Sequence, residues 1–476
     1  MKNDNTETAK TAVLNVIASI ISLFVGMIMI PIISRVLVPE NLGIAVSFQS
    51  IRNIAATVVM LAIYAYFNKA MLDFKREKNS YIFSVTLFCI GMTAVFFLLA
   101  LPFKKYILEL SGFNDFLFYW MFLSVFVFAI YYLADYYCLF FNKQVLVFLI
   151  VLFSGPIAQI TAVLLAAYMP TEKFVGRVIG LDIAYVLIAI IFLIWVLRLK
   201  DKTFNIKYIK QSLHFSVPVI PHIISQLILT QCDLVMINYF IGSDKTGIYS
   251  MAHTVGFLAY TVSTQIMAAW SPWVYRRLEE RKYSDIKNNS KYIVFLGAYL
   301  SIGLLTLSPE LVRIFLSKEY EECIYVIPPL VVAMYFQFIY VFIYDIEYYH
   351  KKTKDIAMAS VCVAILNVIL NVIFIPKYGY AAAGYTTAVS YLVLVIINYA
   401  VARRFQIKNI YNILNTAGIM VLVVAYAVGC MLLVEQCLIR MLMLIILSLI
   451  YIYKYMDIIH KVVNELLKKV KRESYE

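Results

Sequence analysis

Fourteen apolar stretches, each long enough or nearly long enough to cross a bilayer, follow one another with no loop longer than about twenty residues between them. They run over 12–34, 42–67, 81–102, 116–141, 145–169, 176–197, 214–241, 248–274, 291–308, 323–348, 356–375, 385–402, 413–434 and 438–453. A helix rises 1.5 Å per residue, so about 20 apolar residues cover a hydrocarbon core of about 30 Å. Loops this short leave no room for a soluble catalytic domain. Only 14% of the residues are charged, against about 25% in soluble domains, and 63% are hydrophobic. The expected fold class is an all-α polytopic membrane protein with fourteen helices, or twelve as the alternative.

Orientation follows from the basic residues. With the N-terminus in the cytoplasm, the inner segments hold 30 Lys and Arg and the outer loops with their helix ends hold 10; Arg52 lies inside a span. Such a bias places both termini inside. It also accounts for the net charge of +13 as membrane topology, so no nucleic-acid partner is expected. The first apolar run has no small-residue cleavage site and is read as a retained helix. Seven cysteines contain no CxxC pair, so neither a metal site nor a disulfide framework is expected. In the tail, Ile459, Val463, Leu466 and Val470 share a helical face opposite lysines, which fits a helix lying on an anionic membrane surface or a solvated basic tail.

An internal repeat organises the chain. Ile20-Ile21-Ser22 precedes Gly43-Ile44, and Ile223-Ile224-Ser225 precedes Gly247-Ile248, with Ser-to-Gly spacings of 21 and 22. Asp135-Tyr136-Tyr137 ends the fourth span as Glu347-Tyr348-Tyr349 ends the tenth. Each pair lies six helices apart, so the expected units are a six-helix lobe over 1–200, a second over 201–405, an additional helix pair over 406–453 and the tail over 454–476. The stretch His214–Ser250 then opens the second lobe.

Polar residues inside spans are expensive unless they face protein or water. Asn15, Ser19, Ser22 and Gly26 share one face of the first span, and His222, Gln226, Thr230 and Asp233 share one face of the seventh. Arg52 lies nine residues past Gly43, about 13 Å along the helix and close to the midplane. It must line a cavity or meet an acid; the favoured reading is a cavity wall, with Asp233 as partner or coupling acid. Gln49 shares its face, and the repeat puts His253 where Gln49 stands. Substrate-binding candidates are therefore Arg52, Gln49, Gln226, Asn15 and Arg177, the last lying, like Asp182, near the outer end of its span, where an interfacial role is the alternative. Asp233, His222 and His253 are candidates for coupling to a proton or sodium gradient. Asp135, Asp345 and Glu347 are candidates for an inner mouth, set among tyrosines that also suit an interfacial belt. Arg440, near the start of the last span, is expected to snorkel to the interface.

The segment NVILNVIFIPKYGYAAAGYTTAVSY, residues 367–391, resembles a signature of the Wzx-type oligosaccharide flippases. These belong to the multidrug/oligosaccharidyl-lipid/polysaccharide exporter superfamily. The matching residues are Asn371, Ile375, Pro376, Tyr378, Gly379 and Gly384. Pro218 and Pro221 before Asp233, then Gly247-Ile248-Tyr249-Ser250, are similar as well, as are residues 35–43 and 311–328. The resemblance implies two six-helix lobes around a central cavity, with two C-terminal helices. It implies alternating-access transfer of an undecaprenyl-diphosphate-linked oligosaccharide repeat unit to the outer leaflet of the bacterial inner membrane, for lipopolysaccharide O-antigen or capsule synthesis. Membrane lipids, a polysaccharide polymerase and a chain-length protein are the implied partners. No enzyme activity and no cofactor are expected. An ion-coupled multidrug antiporter and a membrane glycan polymerase are the alternatives.

Overall fold

The computed structural model describes residues 21–141, 143–405 and 410–450. In chain order the long helical segments are α1 (Ile21–Val36), α2 (Pro39–Met60), α3 (Lys78–Ser111), α4 (Asp115–Phe140), α5 (Val145–Tyr168), α6 (Lys173–Leu197), α7 (Ile206–Phe240), α8 (Ser243–Glu279), α9 (Tyr283–Phe315), α10 (Ile327–Tyr349), α11 (Lys354–Tyr378), α12 (Ala382–Phe405), α13 (Ile413–Leu432) and α14 (Cys437–Ile450). Eleven of these are long and apolar enough to cross a membrane; α1 and α14 are shorter apolar helices, and the 37-residue α8 is less apolar. Each of the fourteen expected spans thus holds a helix among its described residues. No strand occurs among the described residues. An all-helical solution is what a bilayer imposes, because backbone groups in hydrocarbon have only one another to bond.

Local chemistry places the boundaries. Pro39 sits in the first turn of α2, where its missing N–H costs nothing. Asn114 caps α4 by accepting from the Leu117 amide at 2.9 Å, and Gly379 (φ 81) ends α11 three residues after Pro376. The second span is shorter than its apolar run. Leu61 and Ala62 take left-handed backbone (φ 46 and 50) and break the helix before a separate short helix, Tyr64–Asp73. Leucines and isoleucines such as Leu98, Ile191, Ile314 and Leu449 stand exposed around the bundle, as a lipid-facing surface requires.

The two halves of the chain are joined by more than a linker. The first turns of α7 lie against the first half: the Tyr208 hydroxyl donates to Glu77 at 2.8 Å, and Tyr81 and Ser212 hydroxyls are 3.2 Å apart. The largest hydrophobic core belongs mainly to α7–α13 but also takes Ile33, Leu37, Leu42, Val163 and Ala166. α13 packs against α9 and α10. Arg440, expected at the interface, is instead fully buried, because Glu310 of α9 supplies a counterion that snorkelling would forgo.

α2 and α8 cross backbone to backbone. A Cβ added to Gly43 would lie 1.7 Å from the Ser243 carbonyl oxygen, and one added to Gly247 would lie 1.9 Å from that of Pro39. The contact is reciprocal, as a repeat related by a pseudo-twofold demands, and only glycine fits it. The same end is fastened by the 3₁₀ segment Lys318–Tyr325 and its preceding residue. The Ser317 hydroxyl donates to the Ser34 carbonyl at 2.7 Å and the Tyr320 hydroxyl to that of Leu37 at 2.8 Å. Lys245 donates to Glu322 at 2.6 Å, and with Tyr380 holds that carboxyl below the ordinary glutamate range. A Ser34→Cys/Ser317→Cys pair should therefore form a disulfide readily. Adding Gly247→Val should cut its yield severalfold, measured by gel shift after mild oxidation; an unchanged yield would mean that the glycine crossing does not hold this end together.

Candidate functional site

A polar cavity of about 610 Å³ lies between α1, α2, α5, α6 and α8. Its wall contains Gln49, Gln159, Arg177, His253, Thr254 and Gln265, with Ser22 and Gly26 from the small-residue face of α1. No Asp or Glu contributes to its lining among the described residues. Gln49 and His253, equivalent in the repeat, both belong to it. Gln49 donates to the Ala45 carbonyl of its own helix at 3.2 Å, and His253 stacks on Phe257 with ring centroids 5.7 Å apart.

Arg177 is the cation of this wall. It is 5% exposed, and its Nη2 donates to Oε1 of Gln159 at 2.7 Å. Nε and Nη1 have no hydrogen-bond partner among the described residues. A buried guanidinium with two uncommitted donors is an incomplete arrangement, since buried polar groups are normally satisfied. It suits an anion supplied from outside the chain.

Arg52 is placed differently from the favoured expectation. It does not line the cavity: its Nη1 donates to Asp182 Oδ1 of α6 at 2.6 Å, and the two side chains are 5% and 1% exposed. Trp120 of α4 donates to the other oxygen of Asp182 at 2.8 Å. The guanidinium carbon lies 4.4 Å from the Phe128 ring centroid and 5.2 Å from that of Tyr185. The reason is helix phase. Arg52 and Gln49 share a broad face, but α4 and α6 together offer Arg52 an acid and two aromatic rings on the side away from the cavity.

Asp233 meets neither Arg52 nor the cavity. It accepts from Tyr249 (2.7 Å), Thr387 (2.6 Å) and Asn371 (2.7 Å), so α7, α8, α11 and α12 converge on one buried carboxylate. Thr386 extends the network to Asn371, and Asn367 to Ser390. The rest of the polar stripe of α7 also turns from the cavity. Gln226 donates to Ser360 of α11 at 3.3 Å, and half-buried His222 leaves Nδ1 without a partner among the described residues. The stripe faces α11 and α8 because those helices carry the matching polar groups. Asn15 lies outside the described residues, as does the basic tail.

The inner-mouth candidates separate into three environments. Asp345 is buried and accepts from Ser271 (2.6 Å) and Tyr275 (2.9 Å). Glu347 is fully buried, and neither carboxylate oxygen has a partner among the described residues. Asp135 is half-buried beside the stacked rings of Tyr64, Tyr132 and Tyr136. Sequence reasoning missed Gln159, Gln265, Trp120 and the pairing role of Asp182. The available signal was Pro156, three residues before Gln159 inside an apolar span, since a proline there must disturb helix register.

The family described as "Polysaccharide biosynthesis protein" matches residues 8–278, and the MatE family matches residues 218–373. The chain belongs to the polysaccharide biosynthesis protein family. Its helices make it a multi-pass membrane protein. Two curated relatives are an "Uncharacterized membrane protein" of Haemophilus influenzae, 23% identical over 46% of this chain and 56% of its own, and the "Probable low-salt glycan biosynthesis flippase Agl15" of Haloferax volcanii, 26% identical over 35% and 36%. The chain thus spans about half the length, or less, of those relatives. The fold is similar to that of "Lipid II flippase MurJ, inward closed conformation" (TM-score 0.71, 18% identity, 94% of this chain and 100% of that one). It is similar also to an inward-facing multidrug resistance MATE family transporter (TM-score 0.65, 12% identity, 81% and 95%).

The Arg52–Asp182 pair gives a stability prediction for this family member. Removing one partner of a buried ion pair costs about 3–5 kcal/mol, because the other is left uncompensated. Asp182→Ala and Arg52→Ala should each destabilise the purified protein on that scale. A double replacement by Leu and Met should recover much of the loss. Denaturant or thermal unfolding in detergent measures this, and additive losses would deny the coupling.

Proposed function

We propose that this family member transfers an undecaprenyl-diphosphate-linked oligosaccharide repeat unit from the cytoplasmic to the periplasmic leaflet of the bacterial inner membrane, for surface polysaccharide synthesis. It has both termini in the cytoplasm and works by alternating access between its two six-helix lobes. The observation that carries the reading is Arg177. In a polar cavity with no carboxylate in its described lining, it keeps Nε and Nη1 uncommitted. A diphosphate needs such a cation. Gln49, Gln265, His253 and Thr254 supply the mixed donors and acceptors that sugar hydroxyls take, while the isoprenoid tail stays in lipid. Of the similar proteins, one is named a lipid II flippase and another a probable glycan biosynthesis flippase, which supports this reading.

The MatE match favours a second reading, an ion-coupled multidrug antiporter. Cationic drugs would call for acids in the cavity, so the glycan reading stands ahead. In either case Asp233 is the coupling candidate best provided with surrounding polar side chains, and His222 and His253 are the others.

Losing two hydrogen bonds to a charged group, each worth about 1.5–3 kcal/mol, should lower transfer at least about 100-fold. Arg177→Gln introduced into a deletion strain should thus leave the lipid-linked oligosaccharide in the inner leaflet at normal expression; wild-type export would remove Arg177 from the mechanism. Asp233→Asn should alter the pH or sodium dependence of transfer in proteoliposomes. Unchanged transfer across both series would assign Asp233 to structure alone.

A further inference from the structure

α5 is not a regular helix. Phe153–Ile157 form a π turn with Pro156 inside it. One additional residue rotates everything beyond the turn by about 100° relative to an unbroken α-helix. Gln159 is the second residue beyond this turn, and the rotation brings it to Arg177 of α6. Two residues further on, Thr161 donates to the Gly180 carbonyl at 2.7 Å and ties the same two helices.

Arg177 has almost no freedom along this seam. A Cβ on Gly176 would lie 2.7 Å from the Leu165 backbone, and one on Gly180 would lie 2.3 Å from the Ala162 Cα. The helices therefore touch backbone to backbone on both sides of the arginine. What remains variable is the guanidinium head, and Gln159 Oε1 holds it by Nη2 at 2.7 Å. The amide oxygen must be the atom that faces it, since a guanidinium has donors only.

We infer that Gln159 is a positioning residue for anion binding. It anchors Arg177 through one nitrogen with a neutral acceptor, so that the charge and the Nε and Nη1 donors stay available to phosphate oxygens. The contrast with Arg52 is direct. Arg52 faces the carboxylate of Asp182 and is neutralised in place, whereas Arg177 is oriented at a similar hydrogen-bond length by a group that leaves its charge intact. A glutamate at 159 has nearly the same shape and would turn the second arrangement into the first. The inference rests on the reading of the cavity as an anion site.

The test is calorimetric binding of inorganic diphosphate to the purified full-length protein, beside its thermal unfolding. Wild type binds and Arg177→Ala does not. Gln159→Glu should weaken binding at least about 30-fold with an unchanged unfolding midpoint, because the anion must displace a carboxylate. Gln159→Met, which removes the tether but keeps the charge, should weaken it about three- to tenfold. Wild-type affinity in Gln159→Glu overturns the inference. So does equal impairment of the two variants, which would make 159 a packing position. Should glutamate unfold the protein, Gln159→Met decides alone, and wild-type affinity there overturns the inference. No binding by wild type, or full binding by Arg177→Ala, rejects the anion site itself and this inference with it.

Discussion

A guanidinium taken out of water loses several kcal/mol of hydration unless the protein replaces it. Three arginines within the bundle stand in three different settings. Arg52 receives a carboxylate, a neighbouring asparagine and two aromatic rings. Arg440 receives Glu310, which fastens α14 to α9. Arg177 receives a single neutral amide. The first two charges are balanced within the fold. The third has no carboxylate partner among the described residues and belongs to the wall of a cavity, and the close contact of α5 with α6 keeps it there.

The same demand explains the second buried centre. Asp233 has no cation paired with it among the described residues, yet three donors from three other helices converge on it. Arg52 with Asp182 in one half and Asp233 with its hydroxyls and amides in the other make each half a polar-pinned unit. A pinned unit moves as a body, because its internal hydrogen bonds have no substitute in lipid. Under the proposed alternating access, relative movement would fall on the surfaces between the halves, where α2 crosses α8 and the 3₁₀ segment reaches the end of α1.

The polar cavity sits on that dividing surface, with walls from α1, α2, α5 and α6 on one side and α8 on the other. A substrate there would touch both halves at once, which is the condition for coupling its binding to their rearrangement. The reciprocal glycines at 43 and 247 set how closely the halves approach beside it.

Much of this was legible in the order of residues. Apolar length and the scarcity of charge determine a helical membrane bundle, since no other backbone arrangement of such long apolar runs satisfies itself in hydrocarbon. The repeat of Ser22 with Gly43 and Ser225 with Gly247 singled out the two glycines that meet where α2 crosses α8, although only the structure shows that they meet. It also put Gln49 and His253 on equivalent sites. What the order of residues could not decide was which side of a polar helix faces water and which faces another helix. Arg52 and Arg177 are both arginines inside apolar runs. Their fates differ because Asp182 comes within 2.6 Å of one, while a π turn rotates Gln159 onto the other. Both partners arrive through tertiary contacts, and a helix face seen alone carries no record of its neighbour.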